Sequence, residues 1–141
     1  MIKTKILPLI ILALSIMTVF AFTMSQNATD VMKKVSTALQ TGNSKELSKY
    51  FTETVELEIV GKENFYSISQ AEILLKDFFE ENKPTKFIIN HQGVKDVSSF
   101  AIGTLTVKSG NLRVSFFMKT ENNQTLIHQL RIEQNDEGVN E

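Results

Sequence analysis

The chain contains no cysteine. That absence excludes disulfides, thiolate metal centres, a cysteine nucleophile and lipidation on a thiol. An excess of one charge is also missing: 15 Lys and Arg stand against 16 Asp and Glu, a formal net of −1 over 141 residues. Such a balance gives no electrostatic footprint for nucleic acid, and no block of like charge marks an acidic or basic tail. The chain shows no internal repeat, no low-complexity tract and no linker that would set off a second domain. It has only 2 histidines, His91 and His128, and no closely spaced set of His and carboxylate ligands. No metal and no cofactor is therefore expected.

What is present bounds the molecule from the other side. A content of 42% hydrophobic and 22% charged residues suits one globular domain with an attached segment. Lys3 and Lys5 precede an apolar run from Ile6 to Phe22, with small residues at Ala21, Thr23 and Ser25, the layout of a secretory signal peptide over residues 1–25. The stretch from Ile6 to Met24 is also close to bilayer length, so an uncleaved anchor is the alternative. Cleavage would leave a secreted or periplasmic domain over residues 26–135, free of the membrane. Residues 136–141 are expected to form a disordered tail.

The strongest secondary-structure signal is the stretch from Ser99 to Gln134. Phe100 to Val107, Leu112 to Lys119 and Leu126 to Glu133 are rich in β-branched and aromatic residues and are separated by polar turns. A turn at Ser109-Gly110 sets Lys108 opposite Asn111, and Val107, Leu105, Gly103 and Ala101 opposite Leu112, Val114, Phe116 and Met118. For the second turn an odd loop, Asn122 to Gln124, keeps the apolar sets together by placing Phe116 opposite Leu130, Val114 opposite Ile132 and Arg113 opposite Glu133. In this register the core face holds Ala101, Gly103, Leu105, Val114, Phe116, Met118, Leu126, Leu130 and Ile132, with His128 as its one polar intruder. The other face holds Ile102, Thr104, Arg113, Ser115, Phe117, Lys119, Ile127, Gln129, Arg131 and Glu133.

Upstream, apolar residues from Ala28 to Leu39 recur at helical spacing, with Asn27 or Thr29 as cap and Gly42 as terminator. Ser44 is expected to cap a short second helix. Val55, Leu57 and Ile59 alternate with Glu56 and Glu58 as a strand, and Phe65 to Ser67 returns beside it. Ser69 and Glu72 read as a capping box, stapled by Ile68 and Ile73, on a helix whose face is Ala71, Leu74, Leu75 and Phe78. Phe87 to Gln92 forms a further strand. Helices gathered on one side of an antiparallel sheet make an α+β domain.

This order resembles the nuclear transport factor 2-like superfamily, a curved antiparallel sheet wrapped around N-terminal helices as a cone. More closely, the chain resembles the bacterial family known as domain of unknown function 4783. The likeness rests on Gly42-Asn43-Ser44-Lys45-Glu46-Leu47-Ser48-Lys49-Tyr50-Phe51, Tyr66-Ser67 with Gln70-Ala71-Glu72, Asp77-Phe78-Phe79, Ala101-Ile102-Gly103-Thr104-Leu105, Arg113-Val114 and Gln129-Leu130-Arg131-Ile132-Glu133. It implies a fold and a secreted location and carries over no catalytic residue. Superfamily relatives include isomerases, dehydratases and cyclases beside many binding modules, and fold alone does not choose among them.

In a cone, Phe78, Phe116, Met118, His128 and Leu130 would line an interior cavity suited to a small apolar ligand. His128 could there act as a general base with Tyr50 or Tyr66 as hydrogen-bond donor, the isomerase-like alternative. Its other reading is a core-edge imidazole bonded to one of those hydroxyls. His91 is expected near 14 Å from His128, at three strand spacings of roughly 4.8 Å, too far to share a metal. Glu56 and Glu58 share a face and, if the first strand pairs with the last as the superfamily likeness implies, lie near Arg131 and Gln129. The superfamily often dimerises through its outer sheet face, and Ile102, Phe117, Ile127 and Arg131 are the residues through which this chain would form a homodimer. The favoured reading is a non-enzymatic binding domain that holds a small apolar molecule or a protein partner.

Overall fold

The computed structural model describes residues 27–136. The expected signal segment and all but the first residue of the expected tail lie outside the described residues. Among the described residues no helix is long and apolar enough to cross a membrane. The elements follow in the order α1 (Ala28–Thr41), α2 (Ser44–Ser48), β1 (Phe51–Ile59), β2 (Lys62–Ser67), α3 (Ile68–Glu81), β3 (Pro84–Lys95), β4 (Ser98–Val107), β5 (Gly110–Glu121) and β6 (Gln124–Gln134). The strands make a six-stranded sheet in the order β2-β1-β6-β5-β4-β3. Every neighbouring pair is antiparallel except β1 and β6, which run parallel. The expected all-antiparallel sheet is thus mixed, and the parallel pair joins the first strand of the chain to the last.

Local chemistry accounts for the helices. Asn27 caps α1 by accepting a hydrogen bond from the Asp30 amide at 2.9 Å, and Gly42 ends it in the left-handed conformation at φ 64°. Asn43, rather than the expected Ser44, caps α2 through the Glu46 amide at 3.1 Å. The capping box of α3 also falls earlier than expected. Ser67 Oγ accepts from the Gln70 amide at 3.3 Å and Gln70 Oε1 accepts from the Ser67 amide at 3.2 Å. Ser67 and Gln70 have the same spacing as Ser69 and Glu72, and the earlier pair wins because β2 runs into the helix without a loop. The staple positions then become Tyr66 and Ala71, which leaves Ile73 60% exposed.

Val31, Met32, Val35 and Leu39 of α1 and Ala71, Leu75, Phe78 and Phe79 of α3 pack with Leu57, Leu105, Val114, Phe116, Leu130 and Ile132 of the sheet into one cluster. Gln40 Oε1 accepts a hydrogen bond from the Phe87 amide at 3.3 Å, so α1 covers part of the open edge of β3. The β4–β5 connection is Lys108-Ser109, with Val107 opposite Gly110 and Leu105 opposite Leu112. That register is one step from the expected one, and because the step is two residues the faces are unchanged.

The β5–β6 hairpin holds the larger surprise. Its loop is the two residues Asn122-Asn123, at φ 52° and 60°, and it sets Met118 opposite Ile127. Further along, Phe116 faces Leu130 and Val114 faces Ile132, as the apolar pattern requires. The two registers differ by one residue, and His128 is the residue left over, a β-bulge between the pairs Phe117–Gln129 and Met118–Ile127. An even loop and an odd apolar pattern are therefore both satisfied. The faces before the bulge change accordingly: Ile127 is fully buried, Leu126 is half-buried and His128 is exposed. The expectation of His128 on the core face and Ile127 on the outer face is corrected on both counts.

At Gly103 the sheet tolerates no side chain: an added Cβ would stand 2.4 Å from the Ile88 carbonyl oxygen and 2.6 Å from Phe87 Cζ. Both neighbours are fixed in β3, so Gly103→Ala is expected to cost about 1–3 kcal/mol through overpacking. Urea denaturation checks this; an unchanged midpoint would contradict the close approach.

Candidate functional site

The expected interior cavity is filled by the side chains that were to line it. Phe116, Met118 and Leu130 are at most 1% exposed and Phe78 is 8% exposed, all within the packed core. His128 is outside that core because of the bulge. Tyr50 and Tyr66 are half-buried and pack against the core's margin, yet they belong to different recesses. Tyr66 lines a hollow beside α3, Tyr50 one beside α1, and His128 one at the β3–β4 hairpin end. The Tyr50 carbonyl oxygen accepts a hydrogen bond from the Ile127 amide at 2.6 Å, next to His128, but among the described residues neither tyrosine hydroxyl is hydrogen-bonded to His128. His91 lines a separate trough on the outer face, away from the groove that His128 lines. Among the described residues no three His, Asp or Glu side chains gather as a metal cluster.

One recess lies at the mouth of the cone, where α3 leans over the ends of β1, β2, β5 and β6. Its volume is about 510 Å³. Leu57, Ile59, Leu74, Phe78, Leu112 and Tyr66 give it apolar and aromatic walls, while Lys62, Asp77 and Glu81 stand among its polar lining. Residues 57, 59 and 112 come from alternate positions of their strands, so the same periodicity that builds the core supplies the floor of the recess. Leu74 is 36% exposed, an apolar side chain left open at the opening of the cone. Val60 also lines the recess and has φ 45°, a left-handed conformation that β-branched residues rarely adopt. Val60 and Gly61, at φ 45° and 83°, are the two-residue loop of the β1–β2 hairpin, a turn that requires positive φ at both positions. Sequence reasoning placed Leu74 on the buried face and passed over Val60, Lys62 and Leu112 as site residues; alternation marks Leu57 and Leu112 as inward-facing, but nothing local marks where the helix stops covering them.

The outer face of the sheet is built in rows. Glu58 lies opposite Arg131 across β1 and β6, and Glu56 opposite Gln129. Arg131 Nη2 is 2.6 Å from Glu58 Oε2 and 3.5 Å from Glu133 Oε1. Contact with Glu58, chiefly through hydrogen bonding, raises the guanidinium pKa above its ordinary value. Glu63 holds its proton to higher pH than an ordinary glutamate because it hydrogen-bonds to Glu56 beside it. Arg113 faces Glu133 in register but, among the described residues, forms no ion pair. Phe100 and Phe117 stack on this face with centroids 6.4 Å apart, and Ile102 beside them is half-buried. Of the four expected interface residues, Ile102, Phe117 and Arg131 lie on the outer face and Ile127 lies in the core.

A cone closed by helices at one side and curved round a filled apolar interior is the nuclear transport factor 2-like architecture, and comparison with known proteins places the chain within it. The family described as domain of unknown function DUF4783 matches residues 32–133, and the chain belongs to that family. A DUF4783 family protein from Bacteroides ovatus, solved by crystallography, is 44% identical with a TM-score of 0.69, over 77% of this chain and 94% of that one. A second, from Bacteroides uniformis, is 40% identical with a TM-score of 0.72, over 75% of this chain and 98% of that one. A de novo designed protein with a curved β-sheet shares only 10% identity at a TM-score of 0.63, over 75% of this chain and 98% of that one, and so shows the fold alone. No curated protein matches the chain.

His128 carries a pH dependence with a definite sign. Partial burial, and secondarily the charge of Lys119, hold its pKa below the ordinary 6.5. The native imidazole resists a proton that the unfolded chain accepts, so this contribution to stability is complete above about pH 6.5 and is lost as pH falls through the lowered native value. Denaturation midpoints measured from neutral to mildly acid pH are expected to fall less in His128→Gln than in the wild type. Equal slopes would contradict the assignment.

Proposed function

We propose that this chain is a non-catalytic binding module that holds a small apolar ligand at the open mouth of its cone. The observation that carries the reading is the recess of about 510 Å³ with apolar walls and a charged rim, beside a core with no room of its own. Ligand sites are concave and mainly apolar with a few polar groups that orient the bound molecule, and a volume between 300 and 1,000 Å³ is typical. Leu57, Phe78 and Leu112 would take the apolar body of the ligand, and Lys62, Asp77 and Glu81 its polar end. The apolar run that follows Lys3 and Lys5 supports a secreted or periplasmic setting for the module.

A second reading, a homodimer through the outer face, is favoured by the Phe100–Phe117 stack and by Ile102, half-buried apolar groups bordered by the Arg131–Glu58 pair. The two readings use opposite faces of the sheet and are compatible.

Native mass spectrometry of the chain isolated from the cell envelope tests both. The expected result is a small adduct lost on denaturation and absent from Leu74→Asp, which sets a charge at the mouth without entering the core. An adduct retained in that variant would remove the mouth as the site, and a dimer mass retained in Phe117→Asp would remove the outer-face interface.

A further inference from the structure

The mouth recess has a charge as well as a shape. On α3, Leu74, Asp77, Phe78 and Glu81 stand at i, i+3, i+4 and i+7, one face of the helix, and all four line the recess of about 510 Å³. Across from them, Leu57 and Ile59 lie at alternate positions of β1, and Lys62 and Tyr66 of β2 pair with Ile59 and Val55 on the same inner face. Helical spacing and strand register therefore turn the apolar and the charged groups into one space.

The charges in that space do not balance. Asp77 and Glu81 are like charges at the i,i+4 spacing, an arrangement that weakens a helix. Glu81 is also the last residue of α3, where the backbone carbonyls carry partial negative charge and the last turn holds no basic residue. Among the described residues neither carboxylate forms an ion pair, and neither does Lys62. Lys76, the one basic residue of α3, lines a different hollow beside the α1–α2 turn. Two acids thus stand against one base in the lining, which leaves the recess short of one positive charge. Phe78 and Tyr66 add aromatic walls, and an aromatic face attracts a cation that lies over it.

We propose that the mouth recess selects an apolar monoamine, with its hydrocarbon against Leu57, Phe78 and Leu112 and its ammonium group donating hydrogen bonds to Asp77 and Glu81. This inference rests on the reading of the mouth as a ligand site and adds the charge of the ligand. One ammonium group brings the lining to balance. A carboxylate would meet two groups of its own sign, and a neutral molecule would leave the surplus negative charge unanswered.

Hexylamine, hexan-1-ol and hexanoate share one apolar body and differ in charge, and the ¹³C-methyl resonances of the leucines in the purified full chain report where each binds. Leu57 and Leu112 line the recess, whereas Leu39, buried on α1 and outside that lining, reports any general change. The expected result is a saturable shift of Leu57 and Leu112 with Leu39 unmoved. Hexylamine should bind about tenfold more tightly than hexan-1-ol, as for hydrogen bonds to charged groups, and hexanoate most weakly. Asp77→Asn combined with Glu81→Gln should abolish this preference and leave the affinity for hexan-1-ol unchanged. If hexylamine binds no more tightly than the other two, or if the double variant keeps the preference, the mouth remains a ligand site and the selection of an amine is overturned. If none of the three moves Leu57 and Leu112, the ligand site itself is overturned and the amine with it.

Discussion

One frame shift in the last strand decides what the rest of the molecule can be. The tight Asn122-Asn123 turn imposes one register on β5 and β6, while the apolar sequence Leu130, Ile132 imposes another. A regular strand would have to bury His128 or expose half of its own apolar set. The bulge at His128 lets Ile127 face Met118 and Leu130 face Phe116 in the same sheet. Because β6 is also the strand that β1 joins in parallel, the Leu57–Leu130 and Glu58–Arg131 pairs depend on the register after the bulge.

From this constraint follow both the closed interior and the places left open. With Ile127, Met118 and Phe116 all directed inward, the cone fills with apolar side chains, and the open recesses lie at its margins. At the mouth α3 ends its cover, and the β1–β2 turn at Val60 and the exposed Leu74 frame a recess. The bulge leaves His128 at the exposed surface of β6. The outer face is governed by a different balance, in which Arg131 pairs with the poorly exposed Glu58 and with Glu133. An ion pair of this partly covered kind matters most for the carboxylate it would leave unpaired if broken.

The order of elements, the family and the two sheet faces were legible in the sequence wherever a period ran unbroken. Alternation in β4 and β5 and the helical spacing from Ala28 to Leu39 each mark the buried side correctly. What was not legible depends on competition between local signals of similar strength. Ser67-Gln70 and Ser69-Glu72 carry the same capping pattern, and only the direct passage of β2 into the helix selects the first. The parity argument on β6 assumed one register throughout, and a bulge has no residue signature that would have shown otherwise. Hence Ile127 and His128 exchanged places, and the site residues that depended on them moved with them. The mouth recess was missed for a further reason, since where a helix stops covering a sheet is a property of the packed fold.

The most direct test of this account compares the unfolding free energies of Ile127→Ala and His128→Ala by urea denaturation. A bulge at His128 predicts a loss of about 2–4 kcal/mol for the fully buried Ile127 and a change within about 0.5 kcal/mol for the exposed histidine. The reverse order would mean that β6 is regular and that His128 is inside the cone.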